Sequence, residues 1–145
     1  MVLELWGAHT AVAHGEVFFP ASLPGFLVEK QGQVLGLLTY AVANHQLEIV
    51  TIDALRRGRG VGTALVDAAV RQARTIGCNR VRLTTTNDNL DAVRFYQRRG
   101  FKLAALRPDA VREARKLKPE IPAVGEFGIP ITDEIDLERW VAPRQ

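Results

Sequence analysis

Arg57, Gly58, Arg59, Gly60, Val61, Gly62 and Thr63 are the residues of this chain best suited to chemistry. They follow an apolar, β-branched segment, Leu47–Ile52, and run straight into an amphipathic one. A strand that turns directly into a helix leaves bare main-chain N–H groups at the positive end of a helix dipole, and such a place binds phosphate. Glycines at 58, 60 and 62 let a pyrophosphate approach the main chain. Arg57 and Arg59 add mobile positive charge. Two common phosphate patterns fail here. A Walker loop needs lysine before its hydroxyl residue, and none stands beside Thr63. The dinucleotide fingerprint needs a third glycine where Thr63 or Leu65 stands.

The pattern that fits is R-x-x-G-x-G, met by Arg57, Gly60 and Gly62. It resembles the coenzyme A loop of the GNAT acetyltransferases. A second stretch, Asn87-Asp88-Asn89-Leu90-Asp91-Ala92-Val93-Arg94-Phe95-Tyr96-Gln97-Arg98-Arg99-Gly100-Phe101, is similar to that family's second cofactor motif. The resemblance covers Phe26 to Leu106. It implies acetyl-CoA as co-substrate, held by Arg57–Thr63, with Asn87, Asn89 and Ala92 touching the pantetheine or its edge. It implies an oxyanion donor in a main-chain N–H near Ile52, where the family's strand splays from its parallel neighbour. The acceptor is a small-molecule or peptide amine.

Amine acetylation also needs a proton donor for the leaving thiolate and an acceptor for the amine proton. Tyr96, a phenol protonated at neutral pH, is the candidate acid and lies on the cofactor motif. Glu48 is the candidate base. Strand alternation puts Gln46, Glu48, Val50 and Ile52 on one face, which in the family looks toward the acceptor. The competing reading of Glu48 is a salt-bridged side chain. His45 is a weaker base candidate. The alternative function is a non-catalytic acyl-CoA-binding or sensing domain.

Other chemistries find little support. His9 and His14 read as surface residues, and no His, Cys and carboxylate cluster has metal spacing. Ser22, the only serine, lacks a nucleophile-elbow setting. Cys78, the only cysteine, reads as buried filler and permits no internal disulfide. The acidic run Asp133, Glu134, Asp136 and Glu138 reads as a solvated strand edge, with attraction of a cationic acceptor as the sharper alternative. A net charge of +3 is too mild to argue for nucleic acid. The N-terminus has no signal-peptide pattern, and no run reaches the roughly 20 apolar residues of a membrane span. A cytoplasmic location is expected.

These residues need a frame. At 145 residues with 47% hydrophobic content, the chain reads as one domain, 1–145, with a sizeable core. Short strands are predicted over Val2–Trp6 and Thr10–Phe19, then a hairpin of Phe26–Lys30 and Val34–Val42, then a turn at Asn44-His45 and the strand Leu47–Ile52. Val61, Leu65, Val66, Ala69, Val70, Ala73 and Ile76 recur at helical spacing, and Gly77 caps that helix. Val81–Thr86 is the next strand. Asp88 or Asn89 caps a helix that stops at Gly100, and Phe101–Leu106 follows as a strand. Pro108 opens a short basic helix to Leu117, Lys118–Pro130 is a loop, and Ile131–Val141 is the last strand. The fold class is α/β: a single GNAT-like domain, its central mixed twisted sheet carrying helices on both faces. Two departures from the family stand out. Gly15–Gly25 shortens the N-terminal helical region, and Arg107–Pro130 extends the segment between the last two strands. The last strand is also a candidate for pairing across a homodimer.

Overall fold

A computed structural model describes residues 11–19, 22–54 and 60–141. Its strands are β1 (Ala11–Ala13), β2 (Glu16–Phe18), β3 (Gly25–Lys30), β4 (Gln33–Ala43), β5 (Gln46–Ala54), β6 (Arg80–Thr86), β7 (Lys102–Arg107) and β8 (Glu134–Trp140). Its helices are α1 (Val61–Thr75), α2 (Leu90–Arg98) and α3 (Ala110–Leu117). β1 and β2 form a two-stranded sheet, and the rest form a six-stranded sheet in the order β3-β4-β5-β6-β8-β7. This is the expected α/β class with a mixed sheet. The segment Val2–Trp6, and the turn residues Arg57, Gly58 and Arg59, lie outside the described residues. By its contacts the chain divides into two units: residues 1–11, 19–82 and 140–145, and residues 12–18 with 83–139.

In the first unit, two tight turns set the sheet. Gln31 and Gly32 have φ of 53° and 76°, and Asn44 and His45 have 52° and 61°. Paired positive φ gives the turn whose twist matches right-handed strands. β3/β4 and β4/β5 are accordingly antiparallel hairpins. β5 and β6 run parallel and in step. Asn79 N–H donates to the His45 carbonyl at 2.8 Å, and Arg82 Nη1 reaches Glu48 Oε1 at 3.9 Å. α1 buries Val61, Leu65, Val66, Ala69, Val70 and Ala73. It docks against β4 at Gly36, where an added Cβ would collide with Val61 Cγ1 and stand 3.1 Å from Leu65 Cδ1. Gly77, with φ 82°, follows α1 as expected of its cap.

In the second unit, Asn89 caps α2 by accepting from Ala92 N–H at 3.4 Å. Gly100, with φ 88°, ends the turn before β7. β7 and β8 pair antiparallel, with a bulge between Leu103 and Ala105. The final strand is shorter than expected and begins at Glu134. Thr132 and Asp133 N–H groups bond the side chain of Asn87, both at 3.0 Å, instead of a neighbouring strand. β8 lies between β6 and β7, so its hydrogen-bonding edges are both occupied. The reading of the acidic run as a solvated edge is therefore overturned, and so is pairing of this strand across a dimer. Residues 108–133 separate β7 from β8.

Candidate functional site

The turn before α1 is described from Gly60 onward. Gly60 is the N-cap of α1, with φ 71° and ψ 10°. No side chain caps the helix, and no acidic residue stands in its first turn. Its first helical bond runs from Ala64 N–H to the Gly60 carbonyl at 2.9 Å. The N–H groups of Val61 and Gly62 therefore precede the helical ladder. Nothing lies within 4 Å of where a Gly60 Cβ would stand. A left-handed glycine at an acid-free helix start, with open space at its Cβ position, suits an anion such as a pyrophosphate.

The strand leading to the turn is not regular. Thr39 pairs with Thr51 and Tyr40 with Ile49, which leaves Val50 as the extra residue of a bulge. A bulge reverses the alternation beyond it. Glu48 and Gln46 thus share a face with Thr51 and Asp53, while Ile52 joins Leu47 and Ile49 on the opposite face, toward α1. The predicted set of Gln46, Glu48, Val50 and Ile52 on one face is corrected by this register. Thr39 Oγ1 lies 2.6 Å from Thr51 Oγ1, as the corrected faces require. Leu47 and Ile49 are buried, whereas Ile52 is half-buried.

Glu48 has a side chain 13% exposed and forms an ion pair with Arg82, itself 22% exposed. The neighbouring pair on this face is Gln46 with Arg80. In the amide orientation that satisfies both groups, Gln46 Oε1 accepts from Arg80 Nη2 at 2.6 Å. Arg80 also lies over the Trp140 ring at 5.1 Å. The salt-bridged reading of Glu48 is present in the structure, and Arg82 is a partner that the strand pattern alone did not reveal. His45 serves the β4/β5 turn, with its carbonyl bonded to Asn79.

In the second unit, Asn89, Ala92 and Tyr96 fall at i, i+3 and i+7 on α2, one face of a helix. The Asn89 amide also donates to Thr85 Oγ1 at 3.1 Å. Tyr96 is 3% exposed and meets Phe95 and Phe101 edge-on, with ring centroids 5.1 and 5.2 Å away. Burial pushes its phenol above the ordinary tyrosine range. Such a group keeps its proton at neutral pH.

Asn87 is heavily engaged within its own unit. Its amide nitrogen donates to the Pro130 carbonyl at 2.9 Å, and its oxygen accepts from Thr132 and Asp133. Asp88, 5% exposed, accepts from Thr86 Oγ1 at 2.5 Å and from Glu126 N–H at 3.1 Å. Together they tie the long segment before β8 to the start of α2. Sequence reasoning missed the role of Asp88. The signal for it lies in Gly125, where any Cβ would collide with the Asp88 carboxylate.

The acidic run is mostly internal. Arg107 binds Asp136 through two nitrogens, at 2.6 and 2.8 Å, and Glu134 at 3.1 Å. Glu134 and Asp136 are buried, and Thr84 Oγ1 donates to Asp136 at 2.6 Å. The hydrogen bonds to Asp136, ahead of other causes, raise the Arg107 guanidinium above its ordinary value. These carboxylates hold β7 to β8. Among the described residues, no group of three His, Cys, Asp or Glu side chains is placed to hold a metal ion. None of the described helices is long and apolar enough to cross a membrane.

Comparison with known proteins agrees with this geometry. A family model described as the acetyltransferase (GNAT) family matches residues 5–101. The protein YdhI of Bacillus subtilis is 42% identical over 131 residues, covering 90% of this chain and 82% of YdhI. A GNAT acetyltransferase of Elizabethkingia anophelis, crystallised with acetyl-CoA, superposes with a TM-score of 0.73 at 19% identity, over 83% of this chain and 78% of that one. A Bacillus subtilis acetyltransferase in complex with CoA gives 0.68 at 22% identity, over 79% and 74%. The chain belongs to the GNAT acetyltransferase family.

Proposed function

We propose that this protein moves the acetyl group of acetyl-CoA to a primary amine by direct attack within a ternary complex. The observation that carries this reading is the acid-free N-terminus of α1 on left-handed Gly60, which carries no side-chain cap and has open space where a Cβ would stand. The N–H groups of Val61 and Gly62 hold the pyrophosphate, with Thr63 following on the same turn. Arg57, Gly58 and Arg59 extend the same turn in sequence. Asn87, Asn89 and Ala92 flank the pantetheine arm.

Acetyl-CoA supplies an activated acyl group. The amine nitrogen bonds to the thioester carbonyl carbon, and the carbon–sulfur bond breaks. A main-chain N–H near Ile52 stabilises the charge that builds on the carbonyl oxygen. The amine proton passes to Glu48, directly or through water, and Tyr96 gives its proton to the thiolate. The products are the N-acetyl amine and the CoA thiol, and solvent resets both side chains.

One observation favours a second reading, an acyl-CoA-binding or sensing domain without turnover: Glu48 is already ion-paired with Arg82. Calorimetric titration with acetyl-CoA, beside a Gly60→Glu variant, tests the shared premise. The expected result is micromolar binding that the variant loses. No binding by folded wild-type protein rejects both readings. An amine screen followed by Tyr96→Phe then separates them, since only an enzyme has turnover to lose.

A further inference from the structure

The sheet order ends at β7, so among the described residues no strand pairs its second edge. Edge strands are ordinarily blunted by charge, proline or a covering loop, because bare N–H and C=O groups recruit another strand. β3, at the other end of the order, follows that rule. Its bulge falls between Val28 and Glu29, and Glu29 and Lys30 are exposed charges. β7 differs. Its run Lys102-Leu103-Ala104-Ala105-Leu106-Arg107 is exposed from Lys102 to Leu106, and the central residues are all apolar. Leu103 is 57% exposed and Leu106 60%.

The register with β8 explains why both leucines open on one side. Lys102, Leu103, Ala105, Leu106 and Arg107 pair with Glu138, Leu137, Asp136, Ile135 and Glu134, which leaves Ala104 as the extra residue of a bulge. Three residues apart, Leu103 and Leu106 would lie on opposite faces of a regular strand. The bulge returns them to one face, beside Ile135 and the fully buried Leu137. Lys102, Ala105 and Arg107 share the other face. An apolar surface thus runs from Leu137 to Leu103 and stops at an unpaired backbone edge.

The same spacing makes β7 complementary to itself. Antiparallel pairing of two copies about Ala105 sets Leu103 of one opposite Leu106 of the other, Ala105 opposite its equivalent, and Lys102 opposite Arg107. Every pair then lies on one face, as cross-strand neighbours must. Without the bulge at Ala104, this register would put Leu103 and Leu106 on opposite faces. The like-charge pair is offset, because Arg107 is bound by both Glu134 and Asp136. Lys102 of the second copy therefore meets two carboxylates against one guanidinium. We infer that β7 is a self-pairing edge, on which a second copy of this chain docks as an antiparallel strand. Two-fold pairing uses the bare edge of both copies and so stops at a dimer. The occupant is a second copy rather than an unrelated peptide, since the strand supplies its own matching leucines and its own counter-charge. This inference is independent of the acetyl-transfer reading.

Sedimentation equilibrium over roughly a hundredfold range of protein concentration tests it, beside thermal melts at both ends of the range. Wild type should pass from the monomer mass toward twice that mass, and its melting temperature should rise with concentration. Leu106→Lys puts a charge at an exposed position that the fold tolerates and the interface does not. It should weaken association by roughly tenfold or more. Ala105→Cys places a thiol on the two-fold axis, where antiparallel Cα atoms stand about 4.5–5.5 Å apart, a span that a disulfide bridges. Mild oxidation should link this variant into covalent dimers faster than it links Leu27→Cys, a position 55% exposed on β3. Cys78 is 1% exposed and stays out of the reaction. The cysteine pair carries the test if Leu106→Lys fails to fold. A wild type that stays monomeric throughout overturns the proposal and leaves the edge to another chain or to none. So does a dimer that Leu106→Lys leaves intact, and so does an Ala105→Cys protein that links no faster than Leu27→Cys.

Discussion

The hydroxyls of Thr39 and Thr51 meet at 2.6 Å on the β4/β5 ladder, one step beyond the bulged Val50. Thr39 is 1% exposed, so its hydroxyl depends on this partner. The bond fixes the register in which Ile52 faces α1 and Glu48 faces away. Thr51→Val should destabilise the fold by about 1–3 kcal/mol, the usual cost of a buried hydroxyl left without a partner. The double variant with Thr39→Val should recover part of that loss. Urea unfolding of the two single variants and the double closes the cycle; strict additivity would show that the two hydroxyls are not coupled.

Gly36 controls where α1 begins. Gly36→Ala forces Val61 away from β4 and costs about 1–3 kcal/mol through overpacking. Because Val61 follows the Gly60 cap, the phosphate turn moves with it. Acetyl-CoA affinity should weaken roughly tenfold, about 1.4 kcal/mol. Calorimetry on the folded variant reads this directly, and unaltered affinity would separate the β4–α1 contact from cofactor binding.

Tyr96→Phe keeps the aromatic packing and removes the proton. Turnover should fall on the order of 10²–10⁴-fold, with acetyl-CoA affinity retained. The same phenol makes stability depend on pH. Its folded value lies above the ordinary 10.0, so the folded protein holds the proton more tightly than the unfolded chain. That contribution is whole below about pH 10 and is lost as pH rises further. Cys78, raised by burial from 9.0, acts in the same direction from a lower pH. Unfolding free energy should therefore decline above about pH 9, and less steeply in Tyr96→Phe. A slope identical to wild type would contradict the burial of this hydroxyl in the folded state.

Asp88 joins the start of α2 to the segment around Glu126. Asp88→Ala removes acceptors for Thr86 and Glu126, at a cost of about 1–3 kcal/mol. Residues 118–130 should become the first site of proteolysis while β4 and β5 remain protected. Limited proteolysis with mass spectrometry checks this, and cleavage starting elsewhere would assign the rigidity of this segment to Asn87, which bonds the Pro130 carbonyl, or to Arg115, which bonds the Pro122 and Ile131 carbonyls.

Local signals were well read from the sequence. Gly32, Asn44, Gly77 and Gly100 mark turns or helix ends because each takes a positive φ that few residues tolerate. The helical spacing from Val61 to Ala73 gave α1 and its buried face. Tyr96 lies on α2, 3% exposed. The bulge at Val50 was not legible. An extra residue leaves no trace in a run of β-branched side chains, and it moved Ile52 to the face opposite Glu48. The link from Asp88 to Glu126 spans nearly 40 residues and depends on Gly125, which local patterning reads as an ordinary loop glycine. The charged spacing of Asp136 and Glu138 suggested solvent, because the pairing that buries Asp136 comes from Arg107 on another strand.

The position of β8 bears on how the chain assembles. β6 and β7 are made first, yet they are not neighbours, and the strand that separates them is the last in the chain. Closing this part of the sheet requires contacts far apart in sequence, which are slow to form. Until β8 enters, Arg107 lacks Asp136 and Glu134, and the inner edges of two strands are bare. A nascent chain therefore has β4, β5 and α1 in hand long before β8 can fill the place between β6 and β7.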